Sequence, residues 1–169
     1  CAGRHRRREG ECVWERRWCI RGRFRPAYET FKSAGYSCAV EPTERYALSI
    51  VCLPRAKAEA RSIIAKAAAF TDGPIIIDGQ KTEGVDSIFK DLRKRGDVSA
   101  TISKAHGKLF WVNSHDGLED WGQTPTLTEG GFWTGPGVFS ADGVDPASKL
   151  LVQALPEKLG KNVADLGAG

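Results

Sequence analysis

The sequence predicts an α/β protein: part of a doubly wound, Rossmann-like sheet that closes on an antiparallel hairpin, followed by the start of a second such unit. Three observations carry this. Two short apolar runs, residues 47–53 and 74–78, are each followed by an amphipathic helical stretch, the alternation that builds a parallel sheet. Residues 98–103 and 108–112 read as paired strands joined at Ala105-His106-Gly107. Finally, a glycine-rich turn at a strand end, the feature that opens a nucleotide-binding unit, falls at residues 163–169, after the hairpin rather than before it. One unit cannot hold both, so two in series are expected.

Taken in order, the chain begins with residues 1–23, which mix arginine with Cys1, Cys12, Cys19, Trp14 and Trp18. Up to Arg25 nine arginines face three glutamates, a local balance of +6; the net charge of +4 therefore leaves −2 for the rest. Basicity belongs to this segment and not to the folded body. Three readings stand together: a basic arm whose tryptophans stack on RNA bases, a zinc site from Cys1, His5, Cys12 and Cys19 whose spacing fits no common finger, or non-native sequence. The last rests on the Arg, Cys and Trp excess that out-of-frame reading of GC-rich DNA produces. Without any methionine and ending inside a glycine turn, the chain is expected to be a piece of a longer protein.

From Phe24 the pattern is regular. Pro26 can start a helix whose Tyr28 and Phe31 pack inward and which Gly35 ends. The continuous apolar run 47–53 reads as a strand buried on both faces. A helix over 56–70 presents Ala60, Ile63, Ile64, Ala67 and Phe70 on one side, and Asp72-Gly73 closes it. Residues 74–78 form a second buried strand, 79–84 a polar loop, and Val85, Ile88, Phe89 and Leu92 mark a helix stopped at Gly96. Residues 115–134, rich in Gly, Asp, Thr and Pro, read as a connection in which Trp121, Phe132 and Trp133 dock between units or stack on RNA.

Residues 135–151 form a glycine-rich loop running into a helix, with Asp145 as N-cap, Pro146 at the first helical position and Leu150, Leu151, Ala154 and Leu155 on one apolar face. Residues 163–166 read as the end of a buried strand. Gly167 and Gly169 then let the backbone approach a ligand that a Cβ would hold away, with the Asp165 carboxylate at the strand's end. A dinucleotide or S-adenosylmethionine suits such a loop.

The string G-V-F-S-x-D-G-x-D-x-x-S-x-L-L from Gly137, a short helix, then D-L-G-A-G resembles the start of the catalytic domain of the class I methyltransferases that modify guanine N2 in small-subunit ribosomal RNA. That resemblance implies S-adenosylmethionine against Asp165, Gly167 and Gly169, with Phe139, Ser140, Asp145 and Ser148 capping the same pocket. The family has Gly where this chain has Ala147. It also implies an N-terminal domain shaped like a methyltransferase but without cofactor, matched by Leu53-Pro54-Arg55-Ala56-Lys57-Ala58-Glu59-Ala60, Gly79-Gln80-Lys81-Thr82-Glu83-Gly84-Val85 and Lys104-Ala105-His106-Gly107-Lys108. The expected division is then 24–114 as the degenerate domain, 115–134 as linker and 135–169 as the start of the catalytic domain. Where an active domain has Asn-Pro-Pro-Phe or similar, Leu53-Pro54-Arg55-Ala56 stands, and leucine accepts no hydrogen bond from an amine. The first domain should be silent, and the catalytic residues should lie beyond Gly169.

Other chemistry is thinly supplied. His5, His106 and His115 have no partnered nucleophile, and no metal site is expected in the folded body. Lys81, Arg93, Lys94, Arg95, Lys104 and Lys108 could form a modest basic face for phosphates. At 41% hydrophobic and 27% charged the composition is that of a soluble domain, no run approaches a membrane span, and five irregularly spaced cysteines give no disulfide framework. Cys38 and Cys52, among apolar residues, are expected in the core, and a cytoplasmic setting fits. The expected partner is small-subunit rRNA or the assembling subunit. A nicotinamide-dependent oxidoreductase, using Gly167 and Gly169 to begin G-x-G-x-x-G, and a non-enzymatic RNA-binding module remain as alternatives.

Overall fold

The computed structural model describes residues 19–21, 25–113, 116–128, 130–141 and 143–164. Strand β1 (Cys19–Arg21) lies parallel to β2 (Ser37–Ala39), and helix α1 (Arg25–Ser33) runs between them. α1 ends as its glycine predicts. Gly35 has φ +85, its N–H bonds the Lys32 carbonyl, and the Tyr36 N–H bonds that of Phe31. The Phe31 and Tyr36 rings then meet edge to face at 6.0 Å, the apolar contact that accompanies this cap. α1 buries no residue: Tyr28 is half-buried and Phe31 exposed, because the helix covers only a two-stranded sheet.

The main sheet has four strands. β3 (Ser49–Cys52) is parallel to β4 (Ile75–Gln80), which is antiparallel to β6 (Gly107–Val112), and β6 pairs with β5 (Ile102–Lys104) at the edge. Helix α2 (Lys57–Phe70) makes the crossover from β3 to β4, and α3 (Val85–Arg93) leads from β4 to the hairpin. The alanine-rich sequence of α2 favours helix without a side-chain cap. The hairpin turns on Ala105 (φ +48) and His106 (φ +63), which both hold the left-handed conformation that a two-residue turn of the twisted ribbon demands.

Alternation on the strands sends one set of side chains to the helices. Val51, Leu53, Ile75, Ile77, Phe110 and Val112 pack against Ala60, Ile64, Val85, Ile88 and Leu92. Leu118 and Trp121, in the stretch read as a connection, complete this core. A 3-10 turn (Glu119–Trp121) holds Trp121 with the Arg61 and Arg95 guanidinium groups 5.2 Å and 5.0 Å from its ring centroid, and Arg95 also forks onto both carboxylate oxygens of Asp120.

The opposite face of the sheet corrects two expectations. The 47–53 run is not buried on both faces: Ile50 is 51% exposed, and Cys52 is exposed rather than in the core. Among the described residues no helix covers that side, so Ile50, Ile76 and Trp111, side by side in the register, meet solvent or each other. β3 is moreover an edge strand, and beside it lies a cavity of about 500 Å³ reaching Phe31, Tyr46, Ile63 and Phe70. Cys38 is half-buried.

After the core come a small pair, β7 (Thr126–Leu127) with β8 (Trp133–Thr134), and helix α4 (Pro146–Ala154). Phe132 and Trp133, expected to dock between units, are exposed among the described residues. Of the strand end expected at 163–166, Val163 and Ala164 belong to no described strand and Val163 is exposed, while residues 165 and 166 lie outside the described residues.

Candidate functional site

The loop and helix at 135–154 are built by local bonding. Thr134 Oγ1 donates to the Ala141 carbonyl at 2.9 Å, and the Val138 N–H reaches the Gly135 carbonyl at 3.1 Å. Ser140 takes φ +53, its hydroxyl donates to the Gly143 carbonyl at 2.8 Å, and the Gly143 N–H returns to the Ser140 carbonyl at 3.1 Å. A serine tolerates the left-handed region here because that closed ring of bonds offsets the strain. Asp145 Oδ2 then accepts from the Ser148 N–H at 2.9 Å and from its hydroxyl at 3.3 Å, while Pro146 opens the helix. Ser148 thus serves the cap.

Of the expected cofactor residues, Asp145 and Ser148 are in contact, Ser140 closes the adjoining turn, and Phe139, 82% exposed, projects away from it. Asp165, Gly167 and Gly169 lie outside the described residues. Leu150 and Leu151 on α4, and Leu155 just after it, are exposed, so the helix presents an apolar side with no cover among the described residues. Sequence reasoning missed one neighbour of this loop: the Glu59 carboxylate on the first turn of α2 lies against Gly137, where a Cβ would come within 2.5 Å of it. Nothing in a one-dimensional pattern joins positions 59 and 137.

Leu53, where the resemblance leads one to expect the acceptor groups of an active domain, is enclosed. Leu53 is buried, its N–H bonds the Asp78 carbonyl at 2.8 Å, and its side chain lies over Gly79, where a Cβ would stand 2.7 Å from Leu53 Cδ1. Leu53 is core. The expected basic face also shrinks. Arg95 is committed to Asp120, and Lys108 pairs with Asp86 at 2.5 Å while lying over the Phe89 ring with Arg93. Among the described residues Lys81, Lys94 and Lys104 have no ion pair. The bonded cations hold three carboxyls below their ordinary range: Lys108 acts on Asp86, Arg61 and then Lys57 on Asp91, and Arg95 on Asp120. Although Cys52 is exposed overall, partial desolvation where it lines the cavity beside β3, with Asp78 and Glu83 nearby, pushes its thiol up, which disfavours the reactive thiolate.

His106 sits in the hairpin turn, while Cys1, His5, Cys12 and His115 are outside the described residues. Among the described residues there is no cluster of metal-ligating side chains, and no helix is long and apolar enough to cross a membrane.

Comparison with known proteins bears on the same stretches. Residues 129–169 match the methyltransferase small domain family. Ribosomal RNA small subunit methyltransferase C of Vibrio parahaemolyticus is 33% identical over 127 residues, covering 69% of this chain and 37% of the relative. The enzyme of the same name from Vibrio vulnificus is 28% identical over 145 residues, covering 79% and 42%. This chain is a homologue of that family. It spans roughly two fifths of the length of these two relatives. A solved structure, the 16S rRNA N2 methyltransferase RsmC of T. thermophilus in complex with AdoMet and guanosine, superposes with TM-score 0.60 at 23% identity, over 76% of this chain and 39% of that one. The α/β sheet ending in a hairpin is the shared fold. The family match begins at 129, beyond the core built by residues 51–121.

Proposed function

We propose that this chain is part of an S-adenosylmethionine-dependent methyltransferase acting on guanine N2 of small-subunit rRNA. Residues 24–114, with Leu118 and Trp121 completing their core, would be its degenerate first domain, the rest of 115–134 the linker and 135–169 the start of the catalytic domain. The observation that carries the reading is the family match over 129–169, which falls on the capped loop and helix that the sequence singles out. Asp165, Gly167 and Gly169 would lie against the cofactor, with Phe139, Ser140, Asp145 and Ser148 capping it. The relative's complex with AdoMet and guanosine supports both ligand classes.

Methyl transfer from a sulfonium is an in-line displacement, in which the protein chiefly fixes the donor carbon and the acceptor nitrogen in line. Guanine N2 is a weak nucleophile, since its lone pair is delocalised into the ring, so acceptors on the amine are required. None of the 169 residues forms the Asn-Pro-Pro motif that would supply them, and buried Leu53 cannot. These residues alone should therefore transfer no methyl group, and the first domain's role would be to support the second and help hold RNA.

The test is labelling of small-subunit rRNA by the intact protein with methyl-labelled S-adenosylmethionine, followed by nucleoside analysis. N2-methylguanosine is the expected product, and Asp165→Ala should abolish it. Labelling of any other position, or none, would overturn the assignment.

A further inference from the structure

We infer that Glu59, on the first turn of α2, is a positioning residue for the glycine-rich loop 135–143, acting through its contact with Gly137. The geometry is one-sided and specific. Gly137 has φ +83, which an L side chain rarely adopts, and a Cβ built there would stand 2.5 Å from the Glu59 carboxylate carbon and 2.7 Å and 2.9 Å from its oxygens. The left-handed backbone requires the glycine, and the Glu59 carboxylate, the free end of a side chain 78 positions away in sequence, rests against it.

Glu59 is half-buried, and among the described residues it makes no hydrogen bond or ion pair. Its backbone is fixed, since the next residue, Ala60, is fully buried in the core and its N–H bonds the Ala56 carbonyl at 2.9 Å. The loop has no such anchor. Val138 and Phe139 are exposed, and its described hydrogen bonds, from Thr134 to Gly143, are all local. A carboxylate rooted beside a packed helical residue therefore lies against a locally bonded loop at Gly137. By this contact the first domain sets the position of the loop, and through it Ser140 and the Asp145–Ser148 cap.

The consequence for cofactor binding rests on the function proposed above; the contact itself does not. Native-state hydrogen exchange on the intact protein separates them. The Val138 and Gly143 amides, bonded to Gly135 and Ser140, report the loop, and Ile64 reports the core. Glu59→Ala should speed exchange at Val138 and Gly143 several-fold and leave Ile64 unchanged. Glu59→Gln, which fills the same space, should exchange like the wild type. Unchanged loop exchange in Glu59→Ala, or an equal loss with Gln, would overturn the inference. Gly137→Ala should disturb the loop less when Glu59 is already alanine, because only the backbone strain then remains; additive effects would count against the contact. In parallel, S-adenosylmethionine should bind Glu59→Ala several-fold more weakly than wild type. A wild-type protein that binds none would sink the proposed function and leave the exchange result standing.

Discussion

The two ends of the described chain hold their helices by different means. α2 has no side-chain cap, yet Ala60, Ile64 and Ala65 are buried against a sheet. α4 has a well-formed aspartate cap with proline at its first turn, yet no residue of it is buried. Isolated helices of this length are marginal in water, and most helical stability in proteins comes from packing. The first region is therefore held by tertiary burial and tolerates a poor start; the second is held by its own ends and depends on them.

The largest expected effect tests that difference directly. Phe110 is fully buried and stacks edge-on against Phe89 at 4.9 Å. Phe110→Ala should cost about 3–5 kcal/mol, measured by urea unfolding. Leu150→Ala on α4, 66% exposed, should stay within about 0.5 kcal/mol. If Leu150→Ala costs more than about 1 kcal/mol in the intact protein, α4 has a packing partner there and the contrast breaks.

Next comes crowding. Gly79→Ala would press a methyl group to 2.7 Å from Leu53 Cδ1 within the sheet's helix-covered face. We expect a loss of about 1–3 kcal/mol, the usual cost of overpacking a filled core. Leu53→Ala in the same chain should relieve part of it, and a double-mutant cycle reads the coupling. Purely additive losses would mean that the two side chains do not compete for space.

Smaller still is the cap. Asp145→Ala removes the acceptor of the Ser148 N–H and hydroxyl, and should lower the stability of α4 by about 1 kcal/mol, visible as lost amide protection over residues 146–154. The α2 amides should not respond.

What can be read in advance divides along the same line. The Asp145-Pro146 start, the Gly35 stop and the turn at 105–106 are legible because each is a short-range matter of one residue's chemistry. The core residues of α2, α3 and the strands are legible through periodicity. The run 47–53 misleads because apolar residues alone do not say how many faces a sheet will have covered; Ile50 and Cys52 are exposed only through the absence of a described second layer. Trp121 looks like part of a connection because its place in the core depends on Arg61 and Arg95, which are distant in sequence. Glu59 against Gly137 is invisible for the same reason. At the candidate site the motif names its residues, but the arrangement of Asp165, Gly167 and Gly169 lies outside the described residues.

The smallest effect concerns charge. Asp91 accepts from Arg61 at 2.6 Å and faces Lys57 at 3.0 Å, tying α3 to α2 in the packed region; the Asp145 cap of α4, by contrast, involves no cation. The Arg61 hydrogen bond, with Lys57 behind it, holds the Asp91 carboxyl below its ordinary value, so the folded state binds its proton less readily than the unfolded chain does. A depressed carboxyl contributes stability that is complete above the unfolded value of about 3.9 and fades as pH falls through the folded one. Wild type and Asp91→Asn should therefore differ in urea midpoint at neutral pH and converge in acid, below about pH 4. Because the group is partly open to solvent, the neutral-pH gap should be modest and should shrink with added salt. A gap that stays constant from neutral to acid pH would show that Asp91 joins the two helices by shape rather than charge, and the packed region would then owe its hold to burial alone.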